Sequence, residues 1–131
     1  MANTQKLFAQ SVGVVLILLG IIGFFNKPLL GLFGVNSLHN VVHILVGVIA
    51  LWMVSKGSSQ AFNKYLGMGG IVLGVLGFIP GVKDLLLEIL AINTSTTWLH
   101  LLIGVLGVGV AYGVKEAAGV ESAPPEEKPA E

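Results

Sequence analysis

The chain has 131 residues, 54% of them hydrophobic and 11% charged, with no net formal charge and a mean hydropathy of +0.88. Soluble domains carry roughly a quarter charged residues, so this balance excludes water as the main solvent of the fold. The basic residues are all Lys and lie singly, which excludes a basic nucleic-acid-binding face, and the absence of Cys removes disulfides, thiolate catalysis and thiolate metal sites together.

Four apolar runs, at about residues 7–25, 38–54, 65–79 and 98–114, contain no Asp, Glu, Lys or Arg. A bilayer core takes about 20 helical residues, so the first run suffices alone and the others need a little flanking sequence. In lipid the backbone must satisfy its own polar groups, and continuous rather than alternating runs predict helices, not a barrel. A soluble bundle would need polar faces recurring about every 3.6 residues; Leu16, Ile17, Leu18 and Leu19 offer none. The expected fold is all-α, an integral-membrane four-helix bundle in a single domain over residues 1–114.

After a short polar lead to Lys6, the first span carries Gly13, Gly20 and Gly23, small residues that let helices approach closely in lipid. It is long for a cleaved signal and lacks an A-x-A-like site before Asn26, so it is expected to be retained. Pro28 closes it, and residues 29–35, too short to span, read as an interfacial segment. Asn36 and Ser37 are N-cap candidates for the second span, which closes at Ser55 before a polar linker over 56–60. The third opens at Asn63, Lys64 and Tyr65 and contains a G-x-x-x-G pair, Gly70 and Gly74. Residues 84–92 read as a second interfacial segment with Asp84 placed to cap it. Asn93, Thr94 and Ser95 then cap the fourth span, where Trp98 is expected at the interface. Residues 115–131, rich in Pro and Glu, predict a disordered acidic tail.

The stretch N-S-L-H-N-V-V-H-I-L-V-G at 36–47 is echoed by N-T-S-T-T-W-L-H-L-L-I-G at 93–104. Asn36 pairs with Asn93, His43 with His100 and Gly47 with Gly104, each 57 positions apart. Gly13 with Gly70 and Gly20 with Gly77 keep the same offset. Such matches predict two tandem two-helix repeats, about 7–56 and 61–114, each with an interfacial segment between its spans. Two spans per repeat make the repeats parallel. Lys6, Lys56, Lys64 and Lys115 fall on one side and Lys27 and Lys83 on the other. Cytoplasmic segments carry the Lys excess, so both termini are expected in the cytoplasm.

His39, His43, Gly47, Ala50 and Val54 share one stripe of the second span, and Thr96, His100, Gly104, Gly107 and Ala111 the equivalent stripe of the fourth. Small residues mark a helix-packing face, so His43 and His100 are expected to point into protein. The first reading is structural: Asn36, His39, His43, Gly47, Asn93, His100 and Gly104 form a joint in which imidazoles bond carbonyls or Asn side chains of the other repeat. In the second, His43 and His100 ligate a haem. A third takes His39 and His43 as ligands of a metal completed by His100, Glu88 or Asp84, a weak signal without H-E-x-x-H. Transport is a fourth, against which the spans hold no acid, no Arg and no Pro-broken centre.

Phe33 to Gly47, F-G-V-N-S-L-H-N-V-V-H-I-L-V-G, resembles the bacterial four-span membrane proteins grouped as domain of unknown function 4383. Members have a similar N-x-x-H-N-x-x-H-x-x-x-G segment and a looser W-L-H-x-x-x-G-like one, here Trp98 to Gly104. The resemblance covers about residues 5–114 and implies a bacterial integral-membrane origin with the same topology and no activity to transfer. No catalytic residues, metal or resident cofactor are expected. The sequence reads as a structural or accessory component of the bacterial cytoplasmic membrane, partnered by lipid and by a second copy or another membrane protein. The alternative is a haem- or metal-binding redox subunit using His43 and His100.

Overall fold

A computed structural model describes residues 3–115, so apart from Lys115 the expected tail lies outside the described residues. Among the described residues the regular structure is entirely helical: α1 (Thr4–Gly23), α2 (Ser37–Ser55), α3 (Ser59–Leu76), α4 (Val82–Leu90) and α5 (Thr94–Gly113). Three of them, α1, α2 and α5, are long and apolar enough to cross a membrane.

Polarity is inverted relative to a soluble bundle. Leu18, Val48, Leu102 and Val105 are among many exposed apolar side chains, whereas the largest fully buried ones are Gln5, Asn40, Asn63 and Thr97. Such an arrangement suits a lipid-covered outside with polar groups turned inward; the side-chain amide of Asn40 meets no hydrogen-bond partner among the described residues.

The helices pair, α1 with α2 and α3 with α5, and the two pairs touch each other only sparsely. Each pair closes on glycine. A Cβ on Gly47 would come within 2.6 Å of the Gly13 carbonyl oxygen, and one on Gly104 within 2.7 Å of the Gly70 backbone. The expected stripes are the buried ones: His39, Gly47 and Ala50 on α2, with Thr96, Gly104, Gly107 and Ala111 on α5.

Two ends hold the pairs together. At the end shared by the N-termini of α1 and α3, the Gln5 side-chain amide donates to the Val110 and Val114 carbonyls, both at 2.8 Å. Asn63 donates to the Gln5 side chain at 2.8 Å and to its carbonyl at 3.0 Å. At the other end the loop 24–36 meets the segment 77–93.

Several boundaries differ from expectation. α1 starts at Thr4, capped by the Asn3 side chain, and stops at Gly23 rather than near Asn26. α3 starts at Ser59, reaching into the expected linker and taking Gln60, Asn63 and Lys64 into its first turns. The two interfacial segments are unlike. Residues 82–90 form α4, but residues 29–35 make a tight loop in which Leu29 and Phe33 exchange backbone bonds of 2.8 and 3.0 Å. Pro28, Gly31 and Gly34 in the first stand where Leu85, Glu88 and Ala91 stand in the second, and proline and glycine oppose a helix that leucine and glutamate favour. Asp84 lies in the first turn of α4, where it faces the positive helix end, but the N-cap is Gly81, with no side-chain cap.

Candidate functional site

The joint begins with two asparagines doing two things each. Asn36 accepts the His39 N–H at 2.9 Å and so caps α2; its amide donates to the Ile89 carbonyl at 2.9 Å. Asn93 accepts the Thr96 N–H at 2.9 Å, capping α5, and donates to the Leu32 carbonyl at 3.0 Å. Leu32 and Ile89 are themselves 57 positions apart, so the exchange is reciprocal. The loops abut at Gly34 and Ala91, where a side chain on Gly34 would strike the Ala91 carbonyl oxygen.

One turn further in, His39 and Thr96 repeat the crossing. His39 Nδ1–H donates to the Leu90 carbonyl at 2.9 Å, and the single Thr96 hydroxyl proton is shared between the Gly34 carbonyl at 3.2 Å and Asn93 Oδ1 at 2.9 Å. A carbonyl only accepts, so the His39 proton sits on Nδ1 and, in the neutral ring, Nε2 is an acceptor. His43 Nε2–H donates to it at 3.0 Å. The third ring, His100, stacks on His39 with centroids 5.7 Å apart. One ring nitrogen from each of the three lies within 4.8 Å of the others.

The expected roles are therefore redistributed. Asn36 and His39 bond the last turn of α4, Asn93 and Thr96 bond the loop 24–36, and His43 reaches only His39. Among the described residues, His43 Nδ1 and His100 Nδ1 are buried and meet no partner. His39 is nearly inaccessible and the other two rings half-buried. Gly47 and Gly104 serve the helix crossings one turn below. Asp84 and Glu88 stay exposed on α4 and do not join the rings.

Between the two pairs, and between their clamped ends, lies a cleft of about 740 Å³. Leu16, Leu19, Ile49, Leu66, Leu73 and Ile103 are among its walls, and His43, Thr96 and His100 line it as well. Its size is that of a small-molecule site, and apolar walls with a few polar groups are the usual composition of one.

The sequence reasoning missed Gln5, Asn40 and Asn63. The signal was an amide at the edge of, or inside, an otherwise apolar run, since such groups are costly in lipid unless they face protein. Asn40 packs against Gly23 so closely that a Cβ there would collide with its side-chain amide.

No curated protein and no solved structure matches the chain. The sequence profile of the family described as Domain of unknown function (DUF4383) matches residues 6–113, which covers all five helices but the first two residues of α1, and the chain belongs to that family.

Proposed function

We propose that the protein is a non-enzymatic, structural or accessory component of a bacterial cytoplasmic membrane, made of two tandem parallel repeats whose four helices α1, α2, α3 and α5 all span. Both termini face the cytoplasm, and the joint of asparagines and histidines lies toward the outer face. The reciprocal exchange of Asn36 with Ile89 and Asn93 with Leu32 carries this reading. Side chains that both cap a helix and lock the opposite loop serve to fix a scaffold, which is what a partner protein or a second copy would dock on.

The alternative, a haem- or metal-binding redox subunit, is supported by the convergence of the rings. Of its two forms the ion is favoured, because His39 lies against both His43 and His100, and a porphyrin ligated by that pair would have to displace it from Leu90.

An absorption spectrum of the detergent-purified protein separates scaffold from haem subunit: the scaffold is colourless. In the same preparation His43→Ala loses its bond to His39 on the same helix and is expected to lower stability by about 0.5 to 1.5 kcal/mol, the net worth of one intramolecular hydrogen bond. A Soret band lost in His43→Ala and His100→Ala would overturn the structural reading, and an unchanged melting point would count against it.

A further inference from the structure

Positions 39 and 96 stand 57 residues apart, as Asn36 and Asn93 do, and both side chains bond a carbonyl of the opposite half. At position 96 a hydroxyl is enough for that bond. An imidazole at 39 brings a second nitrogen that the joint does not need. That nitrogen, Nε2, is aimed at His43 Nε2, 3.0 Å away, with His100 stacked alongside.

We propose that His39, His43 and His100 together bind a divalent transition-metal ion of the zinc class. This rests on the second reading above, ligand binding at the histidines, and takes it to three named ligands. Neutral imidazoles suit zinc, copper, nickel or iron and not magnesium or calcium, which take oxygen ligands. Zinc–nitrogen bonds of about 2.0–2.1 Å in a tetrahedron put neighbouring nitrogens about 3.3–3.4 Å apart, so the His39–His43 pair is within a few tenths of an ångström of an occupied geometry.

The hydrogen bond of His39 Nδ1 to Leu90 is the outer contact that metal-bound histidines ordinarily make, fixing the tautomer and leaving Nε2 for the ion. His100 must turn out of its stack to aim a lone pair at the same point, and its Nδ1, with no partner among the described residues, is not tied down. His43 and His100 both line the cleft, which leaves a fourth position open toward it for water or an anion. His39 lies in the first turn of α2 and is itself nearly inaccessible, so an ion reaches the rings past His43 and His100, which line the cleft.

Full-length protein, purified in detergent and stripped with a chelator, is titrated with Co²⁺ followed by visible absorption, then with Zn²⁺ in competition. One ion per chain is expected, with Zn²⁺ displacing Co²⁺. His43→Ala and His100→Ala should each weaken binding roughly tenfold or more. His39→Thr is the sharpest variant, because threonine at 96 already bonds the opposite half: it should fold, with a melting point lowered only by the lost contact to His43, and lose the ion. His100→Gln serves the same purpose if His39→Thr does not fold. A folded wild type that takes up no ion, or His39→Thr or His100→Gln binding as tightly as wild type, would overturn the site. A Soret band in the purified protein would overturn it in favour of haem. The scaffold reading stands or falls separately, on the melting of metal-free His43→Ala.

Discussion

Gly104→Ala is expected to be among the most damaging single methyl additions in the chain, while Gly109→Ala, on the same helix, should be harmless. The added carbon at 104 would meet only backbone: the Ile71 amide, Gly70 at 2.7 Å and the Gly67 carbonyl oxygen at 2.9 Å. No rotamer change relieves that, so α3 and α5 must separate. Overpacking of this kind costs about 1–3 kcal/mol, and the loss falls on contacts that in lipid come from packing rather than from the hydrophobic effect. At Gly109 a Cβ meets nothing within 4 Å, and alanine is the better helix former by up to about 1 kcal/mol. Thermal unfolding of the two variants in one detergent checks the contrast. Equal stability would mean that the close crossing does not exist.

Removing both asparagines of the joint should have an effect of similar size by a different route. Asn36→Ala loses a cap, worth about 0.5–2 kcal/mol, and a bond to Ile89, worth about 0.6–1.7 kcal/mol by the range found between membrane helices. Asn93→Ala loses the same two things on the other side. Because both bonds hold the one contact of Gly34 with Ala91, the double variant should cost less than the two singles added, the sign of a shared structure. Simple additivity in a double-mutant cycle would show that the two loops are held independently.

Much of this was legible because the matches at an offset of 57 residues filtered it. Leucines recur by chance in such a composition, but Asn36 with Asn93 and Gly47 with Gly104 do not, and these are the caps and crossings observed. The same filter hid His39. Its counterpart is Thr96, so it read as private to one half, although the two side chains make equivalent bonds. The offset also masked a local difference: Pro28, Gly31 and Gly34 preclude the helix that Leu85, Glu88 and Ala91 permit, so segments in matching places fold differently. Gln5 was beyond reach for another reason. Its acceptors, Val110 and Val114, lie more than a hundred residues away, and no local pattern encodes the register of one membrane helix against another.

The proposed four-span arrangement depends on α3, whose first turns carry Gln60, Asn63 and Lys64. The chain has no native Cys, so single cysteines at Ser37, Ser58 and Lys83 can be labelled in intact cells without background. All three positions are at least partly exposed. If α3 crosses the bilayer, Ser37→Cys and Lys83→Cys react with a membrane-impermeant maleimide from outside and Ser58→Cys reacts only after lysis. Lys83→Cys behaving like Ser58→Cys would contradict the parallel two-repeat fold.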